Sequence, residues 1–336
     1  MTRNYKKVLE PKWILVGMFF VSGIFLGVLG LYLFVGKPAS IIKLHSPTSE
    51  YTYINPLLGV ELQSNSLFPL NKPLSLIIEG LINAEKDRKN ITNASVYFRD
   101  LDSSEWVGIN EDAKFTPGKL LKLPIMIAYY KMAEVTPDLL FRKLRNTYAA
   151  TTTTSFFPAK TQLVLGEEYT VDDIIRQMII NSDDNAARLL FDNIDRRILN
   201  EVFSDLGIDF VEDKYTPDYI SLKLNSLFLR VLYNATYLNR EFSEKALTLL
   251  DEVNDNTGIS AGLPRGTSVS RRFGGNTTIK NGLWDYDIYD CGIVYYPGHP
   301  YILCASANGE KITGVETFFK NLSEKVYTEM KYKYKG

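Results

Sequence analysis

Histidine is nearly absent from this 336-residue chain, which has only His45 and His299. Neither has a ligand-like neighbour, so a zinc site is not expected, nor a histidine-based triad, and no cofactor is called for. Cysteine is as scarce, with Cys291 and Cys304 alone. That excludes a disulfide-dense scaffold. An excess of one charge is also missing: 38 Lys and Arg stand against 39 Asp and Glu, for a net charge of −1. With no long basic block either, nucleic acid is not an expected partner. Biased sequence is confined to Thr151–Ser155, and no internal repeat is visible. What is present is ordinary globular composition, 45% hydrophobic and 23% charged, enough to bury a core. The length allows one large domain, or two smaller ones, beside any tail.

One long apolar run stands out. Trp13–Val35 is 23 residues without a charge, which as a helix spans roughly the 30 Å hydrocarbon layer of a bilayer. Arg3, Lys6, Lys7 and Lys12 precede it, while Lys37 and Lys43 follow. Lys37 is badly placed for a signal-peptidase site. The positive-inside rule puts residues 1–12 in the cytoplasm and everything after about residue 36 outside. An uncleaved, single-pass signal anchor in the cell membrane is the expectation. Gly23 and Gly27 share a helix face that would suit a second copy, a homodimer, although glycine is common in membrane helices and the plainer reading is preferred.

Residues 36–72 read as a tether. Beyond them, Pro73–Lys86 has helical periodicity with proline in the first turn. "ASVYFRDL" and "EWVGIN" read as strands joined by Asp102–Ser104. A helix starts near Lys119, and about residues 136–255 are helical, with start signals at Thr170 and at Thr216-Pro217. Strands return in "TSVSRRF", "YDCGIVYYP" and "YILCASA", and a helix closes the chain. This order gives an α+β fold: an antiparallel sheet flanked by terminal helices, plus an all-helical lobe, in one domain over 73–336. A site is expected where the two lobes meet. Outside the cell the cysteines meet oxidising conditions, on strands joined by Pro297–Pro300. A disulfide is one outcome; two buried free thiols are the expected one.

Three short stretches carry chemistry. "FTPGKLLKLP", Phe115–Pro124, sets Lys119 and Lys122 one helical turn apart; "SDDNA" begins at Ser182; and "SRRFGG" ends the first late strand. In this spacing the region from about 73 to 333 resembles the penicillin-recognising serine hydrolases, the class A β-lactamases and related DD-peptidases. That family has a pattern F-x-P-A-S-x-x-K-x-P, which Phe115, Pro117, Lys122 and Pro124 keep in register. Its serine attacks and its lysine assists. Here Lys119 stands at the serine position and Gly118 at the small residue before it. A shifted register would pair Thr116 with Lys119, at the expense of those four matches. In the S-D-N motif Ser182 and Asp183 match, and Asp184 takes the asparagine position. Reading Asn185 there would need a one-residue bulge. The K-T-G position reads Arg272-Phe273-Gly274. Arginine keeps the cation but as a flat fork. The glutamate segment that activates a deacylating water in class A enzymes is absent too, Glu212 being the one glutamate in Gly207–Pro217.

The resemblance implies a β-lactamase/transpeptidase-like fold and a site built from Lys119, Lys122, Ser182, Asp184, Arg272 and Gly274. The loss of the nucleophile implies a non-catalytic relative that binds a cell-wall peptide, a β-lactam-like carboxylate or a partner protein. The alternatives are an active hydrolase using Thr116 or Ser182 with Lys122 as base, and a structural envelope protein with a vestigial cleft. Lys119, Lys122 and Arg272 would repel one another at a helix end unless an anion joins them. A Lys119/Lys122–Asp184 ion pair is therefore expected, within about 6 Å if the electrostatic argument holds.

Overall fold

The computed structural model describes residues 52–55, 70–115, 121–150, 159–208, 220–253, 255–280 and 282–334. Trp13–Val35, Thr116, Gly118, Lys119, Glu212 and Thr216-Pro217 lie outside them. Among the described residues no helix is long and apolar enough to cross a membrane.

Helix α1 spans Lys72–Asp87, with Asn71 as its cap and proline in its first turn. Strands β1 (Asn93–Asp100) and β2 (Trp106–Ile109) follow, then a short β3 (Lys114–Phe115). Helix α2 (Lys122–Val135) comes next, then β4 (Lys143–Arg145) and β5 (Glu168–Thr170). Helices α3 (Val171–Ile180), α4 (Asp184–Asn193) and α5 (Arg196–Asp205) complete that stretch. A two-residue β6 (Ile220–Ser221) leads into α6 (Leu222–Tyr233) and α7 (Arg240–Asp251). The chain then returns through β7 (Val269–Lys280), β8 (Leu283–Val294) and β9 (Tyr301–Gly309) to the last helix, α8 (Ile312–Tyr334).

The main sheet has the order β2-β1-β9-β8-β7 and is antiparallel throughout. Alternation along each strand divides its side chains between two cores. On β9, Tyr301, Leu303 and Ala305 pack with Ile78 of α1 and with Val315, Phe318 and Leu322 of α8. Ile302 and Cys304 join the helical lobe, with Tyr129, Ile175 and Leu229. Because both faces are covered, β9 reads as a nearly continuous apolar run instead of an alternating one. Helix α2 is buried almost all round, from Leu123 to Tyr130. Such a helix is the centre of its lobe, not a surface element.

Several expectations are corrected here. The lobe over 136–255 is not all helical, since β4, β5 and β6 lie within it. The run from Thr170 is two helices, because Asn181–Asp183 breaks it. The helix expected from Thr216-Pro217 starts at Leu222, where the Ser221 side chain accepts from the Leu224 amide. The first late strand is longer than "TSVSRRF" and runs on to Lys280, held by pairing along the whole of β8. Cys291 faces Cys304 directly across β8 and β9, and the two form a disulfide. The expectation of free thiols fails because register puts them opposite, not diagonal.

Candidate functional site

Local sequence builds the turn at the centre of the site. Thr170 caps α3 by accepting from the Asp173 amide at 3.1 Å, and Asp172 and Asp173 sit favourably at the positive helix end. At the far end the chain turns through Ser182, whose φ of +59° is in the left-handed region. That conformation costs a residue with a side chain about 1–3 kcal/mol, and surrounding contacts must hold it. Asp183 supplies some of them. Its buried carboxylate caps α4 by accepting from the Asn185 amide at 2.9 Å, and it also accepts from the Leu163 amide at 2.7 Å.

Lys122 opens α2 and points at this turn. It is 4% exposed. Its Nζ donates to the Ser182 carbonyl at 2.6 Å and pairs with Asp184 Oδ1 at 2.6 Å. Arg272 reaches the same turn from β7. Its Nη1 donates to the Ile179 carbonyl at 2.8 Å, and its Nη2 donates to Ser182 Oγ at 3.1 Å. The first contact places a cation at the negative end of α3. Burial pushes the Arg272 guanidinium down to about 10, while Tyr289 and Asp184 resist that shift. It still carries its proton at neutral pH.

Of the expected site residues, the structure thus brings Lys122, Ser182, Asp184 and Arg272 into direct contact. The Lys122–Asp184 half of the expected ion pair is present; Lys119 lies outside the described residues. Gly274 follows Arg272 on β7 opposite Tyr289, whose ring occupies the space a Cβ would need. Phe273, where the resemblance expects a threonine, turns to the other side of the sheet and joins the core under α8. The side-chain Nδ2 of Asn185 donates to the Ala149 carbonyl at 2.8 Å.

Sequence reasoning missed the main chain. Two acceptors for the site's cations are carbonyls, of Ile179 and Ser182, and no residue type announces them. It also missed Arg271, which faces away from Arg272. Arg271 Nη1 donates to the fully buried Asp290 at 2.7 Å, and its Nη2 pairs with Asp255. The signal was available: adjacent arginines on one strand must face opposite sides. Burial raises the Asp290 carboxyl above its ordinary range, against the pull of Arg271 and the Ile259 amide.

The chain is similar in fold to several solved proteins. A mutant of PBP-A, solved as an acyl-enzyme complex with penicillin G, is 19% identical with a TM-score of 0.64, over 80% of this chain and 99% of that one. A β-lactamase from Chitinophaga pinensis is 15% identical with a TM-score of 0.65, over 77% and 100%. One from Sphaerobacter thermophilus is 16% identical with a TM-score of 0.62, over 74% and 94%. A search of curated proteins finds no match. The family model described as "Beta-lactamase enzyme family" matches residues 77–330, most of the chain. With the fold and that match together, this chain belongs to the β-lactamase enzyme family, among the penicillin-recognising serine hydrolases.

Proposed function

We propose that this protein is a membrane-anchored, extracytoplasmic pseudoenzyme of its family, one that binds a cell-wall peptide or a partner protein without turnover. In this reading Trp13–Val35 anchors the chain and residues 73–336 form the outward domain. The observation that carries it is the ion pair between Lys122 and Asp184 at 2.6 Å. Lys122 holds the position of the family's assisting lysine, and here it is bound to a carboxylate and to the Ser182 carbonyl. Arg272, at the position of the substrate-binding cation, is likewise engaged by Ile179 and Ser182. The register places Lys119 where the attacking hydroxyl belongs. A charged amine has no lone pair for attack, and the amide formed by a neutral one does not hydrolyse readily. Loss of the nucleophile in a triad-type enzyme removes about 10⁶ of the rate.

Incubation with a fluorescent penicillin, followed by intact mass spectrometry, tests this. No covalent adduct is expected on the native chain, and muropeptide titration is expected to show saturable, reversible binding. An adduct mapped to Ser182 or Thr116 would instead establish the hydrolase reading. Titration without binding would favour the vestigial cleft.

A further inference from the structure

Residues 52–55 precede the family-like region, yet they are fastened to it. The Glu244 carboxylate on α7 accepts from three successive main-chain amides. Its Oε1 takes Thr52 N at 2.5 Å and Tyr53 N at 3.0 Å; its Oε2 takes Tyr53 N at 2.8 Å and Ile54 N at 3.0 Å. Such a row of amides around one anion is a charge-assisted nest. Asn55 completes the attachment, donating its amide to the Tyr233 carbonyl at 2.6 Å and its side chain to Asn234 at 3.1 Å.

Tyr53 extends this strap towards the candidate site by two routes. Its hydroxyl donates to Asp251 Oδ2 at 2.7 Å, and the other oxygen of Asp251 accepts from the Val269 amide at 2.7 Å. Its ring meets Tyr295 edge-on, with centroids 5.2 Å apart. The Tyr295 hydroxyl lies 3.1 Å from Ser270 Oγ, which donates to the Leu247 carbonyl at 2.7 Å. Val269 and Ser270 are the first two residues of β7, and Ser270 shares its side of the strand with Arg272. Burial, then the Asp251 carboxylate, raises the Tyr53 hydroxyl to about 12, so it remains a donor at neutral pH.

We propose that Tyr53 is a positioning residue of the candidate site: the strap Thr52–Asn55, clipped by Glu244, fixes the start of β7 and through it the placement of Arg272 on the Ile179–Ser182 turn. The strap is thereby coupled to the site. The value of this for binding rests on the proposed function, but the coupling does not.

The test is hydrogen exchange on the full chain in detergent, without ligand, together with the ¹⁵N guanidinium signals of Arg272. The native chain is expected to protect the Thr52, Tyr53 and Ile54 amides. Glu244→Gln should speed their exchange by about tenfold or more, and raise exchange over Val269–Arg272, with α1 unchanged as a folding control. Tyr53→Phe keeps the ring on Tyr295 and should affect Val269 more than Thr52. Tyr53→Ala should in addition shift or broaden the Arg272 guanidinium signals. The proposal is overturned if the native strap amides exchange as unstructured chain. It is equally overturned if the strap is freed while β7 and the Arg272 signals stay unchanged. Because no ligand enters these readouts, failure of ligand binding would count only against the functional reading.

Discussion

Lys122 Nζ and Asp184 Oδ1 lie 2.6 Å apart, the lysine 4% exposed and the aspartate side chain 51% exposed. The pair is lopsided: one charge has left water while the other has not. Removing the buried partner and removing the exposed one should therefore differ. Asp184→Asn takes the carboxylate away from a buried ammonium and should destabilise by about 1–2 kcal/mol, discounted for the solvent around Asp184. Lys122→Met removes the buried charge itself and should cost less than the sum of parts suggests. A double-mutant cycle by urea unfolding measures the coupling; a value near zero would show that the contact contributes nothing to stability.

Arg272 spans two acceptors, Ile179 O and Ser182 Oγ, with one planar group. A lysine at this position cannot span both in the same way. Arg272→Lys should cost about 1–3 kcal/mol through an unpaired buried acceptor. It should also release Ser182 from its left-handed conformation. Chemical denaturation measures the first effect, and the exchange rate of the Asp183 amide reports the second.

Acid should loosen the C-terminal helix at one carboxylate. Burial disfavours the Asp100 charge, but donation from Lys333, Tyr334 and the Ser103 and Asp102 amides outweighs it, so Asp100 titrates below its usual value. A depressed carboxylate contributes stability that is present above the unfolded value, near 3.9, and lost as pH falls through the folded one. The difference in Tm between the native chain and Asp100→Asn should be constant above about pH 5 and shrink towards pH 2. Lys333 is displaced the other way: burial opposes its charge, but Asp100 and Glu105 hold it above the ordinary lysine range. Its contribution is present below about pH 10 and fades in strong alkali. A Tm difference that is flat down to pH 2 would refute the Asp100 assignment.

The disulfide between Cys291 and Cys304 closes a short loop, with 13 residues of sequence separation. Both cysteines are buried. Replacing them by alanine should cost about 2–4 kcal/mol. Reductant alone should leave the folded chain oxidised, and reductant with denaturant should reduce it. Intact mass after thiol alkylation distinguishes the two states. Rapid alkylation of the folded protein without reductant would show that the thiols are free.

Amino-acid order alone was enough for much of this protein. It placed α1, the strands of "ASVYFRDL" and "EWVGIN" and the cap chemistry at Thr170, because those are local signals of periodicity and capping. It also named Lys122, Ser182, Asp184 and Arg272 together, and the fold brings these four into contact. The far half of β7 was not legible. "GNTTIKNG" is polar and glycine-marked, and it is a strand only because β8 pairs with it to the end. The disulfide was undecided for a related reason: opposite and diagonal cysteines look alike until the β8–β9 register is set. The carbonyls that engage Lys122 and Arg272, and the strap that Glu244 clips, lie beyond any sequence signal. Main-chain acceptors carry no residue identity, and a contact between Tyr53 and Asp251, 198 positions apart in sequence, exists only once the chain between them has been folded.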